Sequence, residues 1–416
     1  MSILNRYQGF EDLELNGPTD GSVHTDAIVE DAVRAEVAEV QVELEQQGQE
    51  IEELKAAIEE QDEAVEEVQE LVEGMESLIG SGSFNSTAFS QLYNRAAKLN
   101  TVLGGASVDR MGTESLSDAA TAQIMARHGM ESFMDNVKSW SKKAVEAIKH
   151  IFNIVINFFV GIFSAAEKLS RRADQLSKRL EASDKVKEKV KLGGWNVLFD
   201  YDKHGLKEGT EGWAATTAAI ANFAKLGENP AGVELGQFNS AYNGLRSAVA
   251  GDAKKDVNAT EKKEGDKKIL IGQSAGIRVH AEMKDGMAKD LAEAAVFARS
   301  LKIHFGTGDT KALTTGEVAA KADKAALKSL LAEAKSTASL LRTDKVSASF
   351  SKATRDKVIG SLNVIKADDA TKAKEVGEKV ALVRAIYASA SSYGQAVTKQ
   401  VVRTANWQLD AVSAHI

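Results

Sequence analysis

Between residues 33 and 79 apolar side chains recur in alternating steps of three and four: Val33, Val37, Val40, Leu44, Ile51, Leu54, Ile58, Val65, Val68, Val72, Met75 and Ile79. Gln47 and Gln61 fill the two missing seam positions. A heptad seam sustained over this length predicts a coiled coil. Val37, Leu44, Ile51, Ile58, Val65, Val72 and Ile79 share one core position. That β-branched enrichment, with Gln at the other position, predicts a parallel homo-oligomer of two or three strands. At 1.5 Å per residue the rod would be about 70 Å long.

A second helical pattern follows. Ile148, Ile151, Phe152, Val155, Phe159, Ile162, Phe163 and Ala166 repeat at helical spacing, and residues 151–166 carry no charge. Sixteen residues broken by Asn153, Asn157 and Gly161 fall short of the roughly 20 that span a bilayer. The helix 144–166 therefore predicts core or oligomer packing, with a membrane-surface helix or a direct DNA contact as the alternatives. Further Ala-rich helical patterns cover 216–225, 288–304, 316–341 and 371–410. Residues 251–265, polar and Lys-rich without apolar periodicity, predict an exposed loop. Residues 268–280 predict the one credible β-hairpin. The fold class is mainly α: an acidic N-terminal coiled coil, then a basic helical bundle with at most one small β-hairpin.

Composition agrees, with 2 prolines in 416 residues, and the lack of cysteine excludes disulfides and thiolate chemistry. The net charge of −8 conceals a split. Residues 1–131 hold 27 acidic and 7 basic residues, a net −20, which leaves +12 for residues 132–416. Between His24 and Gly80, 19 carboxylates face only Arg34 and Lys55. Such glutamates repel in a homo-oligomer, so the coil should need salt, low pH or a basic partner. The expected division is an acidic piece at 1–131, a basic amphipathic segment at 132–191 and an Ala-rich helical domain at 192–416. No secretory signal is legible near Met1, so synthesis in a cytoplasm is expected.

One tetrapeptide, G-x-E-S, occurs three times: Gly74-Met75-Glu76-Ser77, Gly112-Thr113-Glu114-Ser115 and Gly129-Met130-Glu131-Ser132. Glycine favours a helix end, and Ser before an acid three residues on, as in Ser115 to Asp118 and Ser132 to Asp135, favours a new N-cap. The motif thus reads equally as punctuation between helices or as a glutamate exposed to a protease at a joint that can be drawn out straight.

Here the chain resembles the internal head, or prohead-core, proteins of large contractile-tailed bacteriophages. Gly129-Met130-Glu131, followed by Ser132-Phe133-Met134-Asp135, looks like the junction at which such proteins lose an acidic propiece, and the basic helix 142–179 continues the likeness. The resemblance covers about the first 185 residues. It implies a phage prohead protease that cuts after Glu131, capsid or other core proteins as partners, and a mature body that stays with the packaged DNA inside the virion. A membrane-active virion protein and an unprocessed coiled-coil adaptor are the alternative readings.

Catalytic signals are thin. Gly272-Gln273-Ser274-Ala275-Gly276 matches the G-x-S-x-G nucleophile elbow, with His280 or His304 as base, but the elbow needs a following helix and a parallel sheet, and 277–280 alternates like a strand. The seven histidines show no ligand spacing, and Gly306-Thr307-Gly308-Asp309-Thr310-Lys311 lacks the P-loop order. Neither enzyme, metal nor cofactor is expected.

Overall fold

The computed structural model describes residues 22–81, 84–103, 119–196, 201, 205–206, 213–256, 258–274, 277–307, 316–342, 345–364 and 370–416. Three long helices dominate. The first, α1 (Ser22–Gly80), is the acidic helix; α2 (Ser86–Val102) folds back on it, capped by Asn85, whose side chain accepts from Ala88 N at 3.0 Å. The second long helix is α3 (Ala119–Ala182). It lies antiparallel to α1: Gln123 Nε2 donates to Ile79 O, Gly161 abuts Leu44 and Gln47, and Lys168 pairs with Glu36.

Beyond α3 come β1 (Lys189–Lys191), α4 (Ala214–Lys225), two 3-10 turns, α5 (Leu235–Asp256), β2 (Ala259–Glu264), β3 (Lys267–Ser274), β4 (Ile277–Lys284), α6 (Leu291–Arg299), β5 (Lys302–Thr307) and β6 (Glu317–Ala319). Then α7 (Lys324–Arg342), α8 (Lys345–Ser349), α9 (Lys352–Val364) and α10 (Ala370–His415) close the chain. The 46-residue α10 is the axis of the body. From Leu382 to Val412 almost every side chain is buried, on all sides, which is why its sequence is rich in Ala, Ser and Val rather than striped.

The mainly-α expectation stands, and the β content needs correction. Instead of at most one hairpin the described residues form two sheets: β2-β3-β4-β5 as an antiparallel meander, and a small β1-β6 pair. The loop expected at 251–265 is the end of α5 followed by β2, and the hairpin expected at 268–280 is the middle of the larger sheet. The signal was hidden because β2 is an edge strand, Ala-Thr-Glu-Lys-Lys-Glu, exposed at every position but Ala259. Charged edges of this kind discourage strand addition and erase the apolar alternation that marks a strand. Gly265, at φ 61°, opens the two-residue turn into β3, where an L side chain would be strained. The helix expected over 288–304 ends at Arg299, and β5 takes up the rest; β6 likewise precedes α7 within 316–341.

Two hydrophobic clusters organise the described residues. The larger draws on α1 (Val40, Leu44, Ile51, Ile58), on α3 from Ile148 to Leu180 and on α10, with the sheet and the shorter helices around them. The smaller, at the other end of α1, joins Val68 and Met75 to Phe89, Tyr93 and Ala96 of α2 and to Ala126, Met130 and Phe133 of α3. Its aromatic rings form a chain, with centroids 6.0 Å apart for Phe89 and Tyr93 and 6.1 Å for Tyr93 and Phe133.

Candidate functional site

The acidic helix does not stand free. Val40, Leu44, Ile51 and Ile58 of its seam point into the groove between α3 and α10, and Val68 and Met75 into the smaller cluster. Burying Val40, Leu44, Ile51 and Ile58 is worth roughly 6–12 kcal/mol in gross apolar terms. Against α10 the register is antiparallel: Arg384 donates to Gln61 Oε1 at 3.0 Å, Ser392 Oγ donates to Glu52 Oε1, and Lys399 lies across Gly48. A β-carbon at Gly48 would stand 2.3 Å from Lys399 Nζ, so the glycine opens the path for that side chain.

Charge follows the same register. Glu45 and Glu52 both act on Lys399, and Glu45 acts on Arg403. Burial pulls Lys399 and Arg403 below their ordinary values, and the glutamates partly oppose that pull. A cavity of about 350 Å³ lies between them, lined also by His304 and Trp407. Arg403 stacks on Trp407, its guanidinium carbon 4.3 Å from the ring centroid. On the far side of α1, Lys168 Nζ is 3.7 Å from Glu36.

Lys55 is the exception within α1. It is 4% exposed, and its Nζ donates to Leu301 O at 2.7 Å, in the turn between α6 and β5. Burial lowers its pKa, Glu52 and Glu59 oppose the change, and Lys302 adds to it. A polar bond in the middle of an apolar face fixes which heptad meets which turn of the body, because a slip would strand a buried ammonium. In the sequence Lys55 stands out only as a rare base among acids.

The G-x-E-S residues fall in less obvious places. Gly129, Met130, Glu131 and Ser132 lie within continuous α3, not at a joint, so Ser132 is not an N-cap. Ala122, Ala126, Met130 and Phe133 form an apolar stripe that carries the helix straight through Gly129. Met130 and Phe133 are buried in the smaller cluster, whereas the Glu131 side chain is 76% exposed, 3.5 Å from His128. Gly74, Glu76 and Ser77 lie in the last two turns of α1, with Glu76 and Ser77 exposed. Gly112, Glu114 and Ser115 lie outside the described residues.

The sequence pattern of the phiKZ-like phage internal head proteins matches residues 39–414. The chain belongs to that family. No curated protein and no solved structure matches it. As a phiKZ-like internal head protein it is a structural component of the head of a tailed bacteriophage. The matched span includes most of the acidic helix as well as the body.

The remaining sequence signals settle into structural roles in this internal head protein. Ser274 pairs with Ile277 in the turn from β3 to β4, so no helix follows it and no nucleophile elbow forms. His280 and His304 are cross-strand partners, and among the described residues no group of three His, Asp or Glu could hold a metal. The apolar stripe of 144–166 is core except at Phe163: Ile148, Ile151, Phe152, Val155, Phe158 and Ile162 are at or below 1% exposure, while Phe163 is 37% exposed. Among the described residues one helix, α3 over Glu146–Ala182, is long and apolar enough to cross a membrane by composition, but most of its apolar stripe faces the body.

Proposed function

We propose that this internal head protein enters the prohead core with residues 1–131 attached as an acidic propiece, and that a prohead protease then cuts after Glu131. The body of 132–416 remains in the head with the packaged DNA. Synthesis takes place in the host cytoplasm, and the other partners are capsid and core proteins. The observation that carries the reading is the placement of the acidic helix over cations of its own body: Glu45 and Glu52 on Lys399 and Arg403, Glu36 on Lys168.

The electrostatics give the reading its mechanism. With 1–131 in place, its net −20 is carried on the same chain as a net +12, and approach to another polyanion is unfavourable. Without it the body is cationic, and association with DNA gains from counterion release. The charge is spread over a large surface with no groove-reading element, so binding should be weak, salt-dependent and without base preference.

The scissile peptide is in a helix, and a protease cleft needs an extended strand. Local opening of the smaller cluster would supply it, because that cluster has few buried side chains and is separate from the main core. Glu131 is already at the surface. The test is the N-terminal residue of the protein from mature heads. Ser132 is expected, with Ser77 or Ser115 as evidence for cutting at the other copies of the motif; Met1 overturns the reading. Homo-oligomers in the core would use surfaces other than the seam, since the described seam residues are occupied in cis, and sedimentation of the full chain measures them.

A further inference from the structure

The last helix carries Gln395, Lys399, Arg403 and Trp407 at steps of four, which sets them on one face, and all four line the cavity of about 350 Å³. The opposite wall is α1, through Leu44, Glu45, Gly48 and Glu52, and β5 closes a third side. Gln395 is 2% exposed, and its Nε2 has no hydrogen-bond partner. Among the described residues Lys399 and Arg403 also lack an acceptor: neither makes a hydrogen bond or an ion pair, and the Arg403 guanidinium lies over the Trp407 ring. Donors from three neighbouring turns of α10 therefore face one space with no protein oxygen to receive them.

Buried donors are ordinarily satisfied, and a desolvated cation without an acceptor is costly to hold. What the three groups lack in common is an oxygen bearing negative charge. Glu45 and Glu52 act on the cations only at a distance, and both are exposed, so water screens their field. A polyanion too long to enter would lie against those carboxylates, whereas a small acid can pass them.

We propose that this cavity is a binding site for a small oxyanion, a phosphate or a carboxylate, held by Gln395 Nε2, Lys399 Nζ and the Arg403 guanidinium. The ligand sits beside α1 and does not replace it. Gly48 leaves room for the ammonium, since a β-carbon there would stand 2.3 Å from Lys399 Nζ. Trp407 holds the guanidinium by its face, 4.3 Å from centroid to carbon, which leaves the N–H edge to donate. Because one wall belongs to α1 and the donors belong to α10, occupancy fastens the acidic helix to the body. The site does not depend on a cut after Glu131.

Titration calorimetry of the full chain with inorganic phosphate, and separately with succinate, at an ionic strength fixed by sodium chloride, reads the site. At least one of the two should bind saturably, one anion per chain, and raise the melting temperature; the one that does identifies the source. Lys399→Gln with Arg403→Gln should weaken that binding about tenfold or more, and Gln395→Met, close in volume, about fivefold. Glu45→Gln changes only an exposed side chain and should strengthen binding about threefold, which keeps the test open if the cation variants fold poorly. Arg171→Gln, an exposed cation on α3, should leave it unchanged. Lack of saturable binding by both anions, binding retained by the Lys399/Arg403 variant, binding not strengthened by Glu45→Gln, or an equal loss in Arg171→Gln would overturn the proposal.

Discussion

The Nζ of Lys55 donates to the backbone carbonyl of Leu301 at 2.7 Å, across 246 residues of chain, and so fixes the acidic helix to one turn of the body. The bond is buried, and its worth lies in specificity as much as in energy.

Replacing Lys55 by Glu sets a buried carboxylate against the Leu301 carbonyl and should weaken docking of α1 by about 3–5 kcal/mol. Lys55→Met leaves only an unpaired carbonyl and should cost about 1–3 kcal/mol. Hydrogen exchange on α1 reads both: Glu should expose its amides strongly, Met modestly, with α10 little changed. Equal protection in all three proteins would remove Lys55 from this role.

Phe133 is fully buried in the smaller cluster, two residues past the proposed cut. Phe133→Ala should cost that cluster about 3–5 kcal/mol. A glutamate-specific protease should then cut after Glu131 at least tenfold faster, while cutting within the rest of α3 stays slow. Unchanged kinetics would mean that opening of this cluster does not limit access.

Gly161 of α3 faces α1, and a β-carbon there would lie 3.2 Å from Leu44 Cδ2. Gly161→Ala gains helix propensity of about 1 kcal/mol and needs only a small shift, so stability should hardly move. Gly161→Leu cannot be accommodated and should lower stability by about 1–3 kcal/mol in a urea titration, with α1 losing exchange protection first. A stabilised Leu variant would show that the crossing is looser than the structure has it.

His415 ends the last helix with its Nε2 2.8 Å from Tyr201 Oη and its Nδ1 2.6 Å from Ala411 O. Burial lowers its pKa, with nearby Lys187 adding to the effect and the Ala411 bond opposing it. The folded state thus favours neutral imidazole. The stability tied to it is complete above the ordinary value of 6.5 and is lost as pH falls through 6.5 toward the lowered value. Tyr201 already accepts from the backbone of Lys321 and Ala322, so a protonated Nε2 would find its acceptor taken. The melting temperature should fall from pH 7.5 to 5, and His415→Gln should flatten that fall; a parallel fall in both proteins would assign it elsewhere.

Much of the architecture is visible in the residues. The stripe from Ile148 to Ala166 is core save for Phe163, and the Ala-rich run from residue 371 is the long last helix. What periodicity does not reveal is which surface an apolar stripe will meet. Leu44, Ile51 and Ile58 would suit a second copy of the helix as well as α3 and α10, and only the fold brings Lys399 and Ser392 to the right turns. Gly129 misleads for a local reason. Glycine and Ser132 resemble a helix boundary, but Ala126, Met130 and Phe133 supply a buried face that outweighs the roughly 1 kcal/mol cost of one glycine. Edge strand β2 was hidden by its lysines and glutamates.

The proposed cut and the main grip of the acidic helix sit at opposite ends of α1, one in the small aromatic cluster and the other over the cationic groove. A copy severed too early would therefore keep its shape and its negative cover, and could still be built into a particle beside uncut neighbours. On the proposed plan, assembly would tolerate an unpunctual protease.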